Sequence, residues 1–205
     1  MTTTAAGGAI LKGMRGTRRA PSRGFTLIEA MIVAVIVAIL AVLAIVGYRR
    51  LTYSSWVAEA TNMVANIRSS EEAFYAENSA YLNVSGSRTV YYPAQAPGKF
   101  KTDWNVSGGC ATCALPNGWE TLNVHPDGPV AFGYQVIAGD GVTSKPGAIG
   151  TFTVNGKAFD YTAMVNGKPW YFVDAKGNIS GDGVNFTHVY GMSGTNEIYV
   201  DNEGN

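Results

Sequence analysis

Residues 30–46 read AMIVAVIVAILAVLAIV, seventeen in succession without a polar side chain, and a glutamate, Glu29, stands immediately before them. Phe25 to Ile28 extend the apolar segment upstream, with Thr26 its one mild interruption. At 1.5 Å per residue a helix over 25–46 spans roughly 33 Å, enough to cross a hydrocarbon core of about 30 Å. Glu29 then lies inside the segment. A carboxylate at membrane depth costs on the order of 2.5–3.5 kcal/mol on insertion scales and is normally paired.

The flank before the helix carries Lys12, Arg15, Arg18, Arg19 and Arg23 and no acid, which predicts that it stays cytoplasmic. A cleaved secretory signal has a shorter apolar stretch and a small-residue cleavage site after it. Here the run is followed by Gly47-Tyr48-Arg49-Arg50. A plain membrane anchor would meet the length requirement but would leave Glu29 and the Arg23-Gly24-Phe25 junction unexplained.

The string Arg23-Gly24-Phe25-Thr26-Leu27-Ile28-Glu29 resembles the signal of type IV prepilins and of the related pseudopilins of type II secretion. The resemblance implies cleavage between Gly24 and Phe25 by prepilin peptidase, on the cytoplasmic side, and N-methylation at Phe25 by the same enzyme. It further implies a leader over 1–24, a long helix over 25–78 with its membrane part at 25–48, and a globular head over 79–205 outside the cytoplasm. Met14 offers a second start that would shorten the leader and leave the mature chain unchanged. The fold class implied is α+β, the pilin fold, in which a long N-terminal helix packs on an antiparallel sheet. The expected partners are other pilin subunits, the peptidase and methyltransferase, an inner-membrane assembly platform, and the membrane itself before assembly. Cleavage would place a cationic amine at Phe25, one turn from Glu29. In a filament the carboxylate of one subunit meets the amine of its neighbour, and removing one member of such a buried pair costs about 3–5 kcal/mol.

The full chain has 15 basic and 15 acidic residues. Without the leader the balance falls to ten against fifteen, which gives no electrostatic reason to expect nucleic-acid binding. About 125 residues follow the helix, enough for one domain with its own core. The helical pattern continues past the apolar run: Tyr53, Trp56, Val57, Ala60, Met63, Val64, Ile67, Glu71 and Phe74 recur at steps of mostly three and four. This stripe is the expected packing surface for the head, and Asn78-Ser79 is its expected end. Many major pilins have a proline near the end of the apolar run. Val46-Gly47 stands there here, a departure that counts against a major pilin; a minor or variant pilin is favoured, with a major pilin and a type II secretion pseudopilin as the alternatives.

From Ser85 to Pro129 turn residues dominate, and a variable loop region with short strands is expected. Beyond it, Val130–Ile137 reads as a strand. Thr151–Val154 and Lys157–Val165 around Asn155-Gly156 read as a hairpin with a type I′ turn. Pro169–Val173 and Ile179 would continue an antiparallel meander, with edge strands at 185–190 and 197–200.

Cys110 and Cys113 admit a tight disulfide across a turn, a redox-active thiol pair or half of a zinc site, and the disulfide is favoured for an exported segment. In many pilins a disulfide closes a long C-terminal loop, which this spacing does not do. Some pseudopilins carry calcium near the C-terminus, and Asp174, Asn178 and Asp182 are weak candidates in a Gly-rich loop that a β-turn would equally require. His125 and His188 read as structural. The chain has no nucleophile motif and no phosphate-binding loop, so neither an enzyme nor a cofactor is expected. A structural filament subunit is the leading reading, and a filament-tip adhesion or binding module is the alternative of another class.

Overall fold

The computed structural model describes residues 24–104, 110–144, 149, 151–165 and 167–203. The basic flank 1–23, which holds most of the expected leader, and the Gly108-Gly109 turn lie outside the described residues. The described residues fall into two units that divide between Ala44 and Ile45.

A helix, α1, runs from Leu27 to Asn78 without interruption, through Gly47 as well. No proline lies between Pro21 and Pro93 to break it. In the first unit its side chains are exposed all round, Leu27, Leu40 and Leu43 by 77%, 59% and 64%. A helix apolar on every face has no solvated side and belongs in lipid or among other helices. The helix ends where the sequence predicts: Ser79 adopts φ 55° and donates its N–H to Tyr75 O at 2.8 Å, while Asn78 Nδ2 bonds Phe74 O at 3.0 Å. The left-handed residue satisfies carbonyls that the helix leaves open.

In the second unit the expected stripe is the buried one. Val57, Ala60, Met63, Val64, Ile67 and Glu71 are buried, and Tyr53, Trp56 and Phe74 are partly so. A Val, Ile or Met taken wholly out of water contributes about 1.5–3 kcal/mol, so this face is a major holding term for the head. It packs on one side of a four-stranded antiparallel sheet, giving the α+β architecture expected. The strands are β1 (Gly133–Gly139), β4 (Trp170–Gly177), β5 (Thr187–Met192) and β6 (Tyr199–Asp201), in the order β1-β4-β5-β6. Val136 opposes Val173, and Val173 opposes Gly191. Gly191 permits the approach of α1: a Cβ there would stand 2.6 Å from Val64 Cγ1 and 2.7 Å from Arg68 Cδ.

Three expectations are corrected. Residues 161–165 do not extend the second hairpin strand. The hairpin is β2 (Thr151–Val154) with β3 (Lys157–Asp160), and a short helix, α3 (Tyr161–Val165), follows. The Asp160 carboxylate accepts the Ala163 N–H at 3.3 Å and opens that turn, and the buried Tyr161 hydroxyl bonds Tyr171 O at 2.5 Å and Ser193 Oγ at 2.8 Å. The turn itself is as expected, with φ of 49° at Asn155 and 79° at Gly156. The meander holds for β4, β5 and β6, which pair in chain order, but does not include the hairpin. The hairpin forms its own two-stranded sheet, so β1 pairs with β4, and β5 is an inner strand with β6 at the edge. Finally, the described residues of 85–129 form isolated bridges rather than strands, together with one turn of helix, α2 (Gly118–Thr121). That loop is used to cover β1: Tyr92 and Tyr134 exchange both backbone hydrogen bonds, and Ser85 bonds Val136 through its own N–H and its hydroxyl. A covered edge cannot recruit a foreign strand.

The hairpin and α3 occupy the sheet's other side. Ile137, Phe172, Tyr190 and Met192 join Phe152, Val154, Tyr161 and Val165 in a second core. The central strands are therefore apolar on both faces, which is why Trp170-Tyr-Phe-Val173 reads as a continuous run.

Glu71 is the polar lapse in the stripe. It is wholly buried, and its Oε2 accepts the Leu82 N–H at 2.9 Å, which fixes the chain leaving α1. Burial raises its pKa from 4.5 to about 8; the Leu82 hydrogen bond works against the shift and the neighbouring Glu72 charge adds to it. Folded Glu71 thus keeps a proton that the unfolded chain loses, so its contribution to stability is full below the ordinary glutamate value and falls as pH rises toward 8. Glu71→Gln removes this dependence while keeping an acceptor for Leu82. In thermal unfolding of the full chain in micelles, the variant should gain on the wild type between about pH 5 and pH 8, with little difference at the acid end. Parallel pH profiles would contradict the buried neutral acid. Independently, Gly191→Val should lower stability by about 1–3 kcal/mol through overpacking against α1.

Candidate processing and assembly site

The Gly24-Phe25 junction precedes the first helical residue. A Cβ on Gly24 would meet nothing within 4 Å, and Phe25 is 74% exposed, so neither residue is shielded by the rest of the described chain. An accessible, non-helical peptide bond is what a protease requires. Two residues on, α1 starts with a capping box. Glu29 N–H donates to Thr26 Oγ1 at 3.2 Å, and Glu29 Oε2 accepts from Thr26 N–H at 3.5 Å and from Thr26 Oγ1 at 3.4 Å. The hydrogen bonds to Oε2 are long, but the reciprocal pattern satisfies two backbone donors that the helix cannot.

Thr26 is the site residue that sequence reasoning missed. The signal was present, since Thr-x-x-Glu before an apolar run is a helix-start signature. Treating Glu29 only as a charge in need of an external partner hid it. The carboxylate also lies in the first turn, where the helix dipole favours a negative group. From there to Val46 every large apolar side chain is about half exposed or more, and the helix is long and apolar enough by length and composition to cross a membrane.

Cys110 and Cys113 are disulfide-bonded, with Cα atoms 5.3 Å apart. They close a turn in which Cys113 N–H donates to Cys110 O, and both side chains are buried in the core on the helix side of the sheet. Zinc ligation needs both thiolates, which this pairing takes up. Because the closed loop is short, its chain-entropy contribution is at most about 2 kcal/mol. Cys110→Ser should therefore leave a folded head, and mass spectrometry of unreduced peptides from the wild type should recover the Cys110–Cys113 link. Free thiols in the wild type would contradict it.

The weak calcium candidates are committed elsewhere. Asp174 is buried in β4 and accepts from the Tyr91 hydroxyl at 2.8 Å and pairs with His188 Nδ1 at 2.9 Å. Asn178 Oδ1 accepts the Gly181 and Gly183 N–H groups, and Asp182 Oδ1 accepts those of Val184 and Asn185. These are turn-forming hydrogen bonds. Among the described residues, no group of three or more His, Cys, Asp or Glu side chains is placed to hold a metal. His188 stacks on Tyr190 and has a structural role, whereas His125 lines an open groove of about 870 Å³ with Asn62, Asn66 and Tyr134.

Residues 19–45 match the family model described as the prokaryotic N-terminal methylation motif, which is the type IV pilin and pseudopilin signal. The match covers the junction, Thr26, Glu29 and the apolar run, and it stops before the head. It supports a type IV pilin-like or pseudopilin substrate of prepilin peptidase, and the apolar N-terminal helix fits a membrane-anchored precursor. No curated protein and no solved structure matches the chain.

Proposed function

We propose that this chain is a minor or variant pilin, cut between Gly24 and Phe25, methylated at Phe25 and assembled into a pilus or pilus-like filament with its head outside the cytoplasm. The observation that carries the reading is the accessible Gly-Phe junction standing directly before a capped helix that is apolar on every face. Such a helix is stable in a bilayer and equally suited to a core of parallel copies of itself, so one segment serves storage and assembly. The minor or variant role is supported by the uninterrupted course of α1 through Gly47, where a proline would allow the helix to unwind.

In the precursor Glu29 caps its own helix. After cleavage the Phe25 amine of a neighbouring subunit supplies a cation for the same carboxylate, and the pair sets the register of the incoming subunit. Cap and charge are separable. Glu29→Gln keeps a side chain competent for the capping box and loses the charge; Thr26→Ala loses the cap and keeps the charge. Sheared and membrane-retained protein is measured for each variant beside N-terminal sequencing. Gly24→Leu should leave the precursor uncut. Glu29→Gln and Glu29→Ala should both be cut and should both fail to enter filaments, whereas Thr26→Ala should assemble. Wild-type assembly of Glu29→Gln would overturn the charge pairing, and efficient maturation of Gly24→Leu would overturn the processing assignment. Abundance in the sheared fraction separates the subtypes: a trace amount beside a different pilin is expected here, and dominance would mean a major pilin.

A further inference from the structure

Immediately after its apolar run, α1 carries Tyr48, Arg49, Arg50, Tyr53 and Trp56 within three turns. Tyr48, Arg49, Thr52, Tyr53 and Trp56 form one wall of a groove of about 270 Å³, and Lys99 and Ser180 form the other. No acid lines it. Its second wall is held in place by the head: Asn178 N–H donates to Pro97 O at 2.7 Å, Gly98 bridges Asn178, and Gly181 lies against Lys99, whose Cε and Nζ would stand 3.2 Å from a Cβ there. Neither Arg49 nor Lys99 forms an ion pair with a described residue. The neighbouring acids are engaged, Glu59 by Lys101 and Asp182 by the N–H groups of Val184 and Asn185. The two loops of the second wall also present Phe100 and Val184, which are 91% and 76% exposed, and Leu51 of α1 is 73% exposed.

Two free cations, three aromatic rings and no acid make a receptor for a phosphate group. The exposed Phe100, Val184 and Leu51 have no use in binding an ion from solution, but they suit an acyl–headgroup boundary, where aromatic and basic residues collect. We propose that this groove holds the phosphate of an anionic phospholipid, in the leaflet reached by the end of the membrane segment, while the subunit is stored in the membrane. The proposal rests on the membrane-stored reading above and adds a ligand to it.

The test uses the uncut full chain in neutral detergent micelles, with native mass spectrometry counting lipids retained. Dioleoylphosphatidylglycerol is compared with dioleoylphosphatidylcholine, and inorganic phosphate is added as competitor. Phosphatidylglycerol should be retained preferentially. Arg49→Gln and Lys99→Gln should each weaken retention about fivefold, the effect of one basic group near an anionic surface. Arg50→Gln, next to the groove but not lining it, should change retention much less. Equal losses from Arg50→Gln and Arg49→Gln would reduce the effect to general juxtamembrane charge and overturn the site. Equal retention of the two lipids would overturn it too, and displacement by millimolar inorganic phosphate would assign the groove to a free ion instead. No peptidase takes part, so a negative result leaves the processing assignment standing, and a mature N-terminus elsewhere than Phe25 leaves the lipid result standing.

Discussion

In hydrocarbon every backbone amide must find its partner inside the protein, and in water every large apolar face must be covered. A helix meets the first demand by itself, and a sheet laid on one of its faces meets the second. α1 is written for both. Up to Val46 its side chains are apolar without regard to face, and from Tyr53 they are apolar along one stripe. The head depends on that change of pattern, since the buried residues 57–71 fill one side of its sheet. The opposite side needs its own cover, which the β2–β3 hairpin and α3 provide.

Charge placement follows the same division. Arg68 lies beside the stripe and sends its guanidinium across β5, bonding Thr195 O at 2.6 Å and Asn196 O at 3.0 Å. It thereby ties the loop before β6 to the helix without burying a lone cation. Lys101 and Glu59 form a partly exposed ion pair at 2.5 Å, the kind worth about 0–1 kcal/mol, so it positions the loop more than it stabilises the head. These contacts bring the 97–101 loop alongside the first turns of α1 beyond the apolar run, and the proposed phosphate groove exists because of that placement.

Local chemistry was readable from the sequence, and pairing at a distance was not. The helix stripe, the Asn78-Ser79 stop and the Asn155-Gly156 turn each depend on residues within a few positions, and each is where periodicity or turn chemistry puts it. The β-rich reading of 157–165 failed because Phe159, Tyr161 and Val165 suit a strand by type, while the outcome was decided by Ser193 and Tyr171 meeting the Tyr161 hydroxyl from elsewhere in the chain. The strand order failed for a related reason. Both faces of β4 are apolar, so its alternation could not tell which neighbour lay beside it. At the candidate site Glu29 was legible as an anomaly. Thr26 was overlooked because a threonine among apolar residues looked like a mere interruption.

The two acids within the apolar positions of α1 show why a carboxylate there need not be an error. Glu71 lies far from the N-terminal end of the helix, and Arg68, one turn before it, sends its guanidinium to Thr195 O and Asn196 O; burial leaves Glu71 as a neutral hydrogen-bonding group that fixes Leu82. Glu29 lies in the first turn, where unsatisfied N–H groups and the Thr26 hydroxyl already face a negative oxygen. An acid moved from position 29 to position 71 would lose the Thr26 partners, and one moved from 71 to 29 would gain them. Position along the helix thus decides which of two identical side chains acts as an internal tie and which remains available to an incoming ammonium. Cleavage at Gly24-Phe25 would create that ammonium four residues upstream of Glu29, so the proposed assembly pairing requires no new structure in the helix, only the removal of what precedes it.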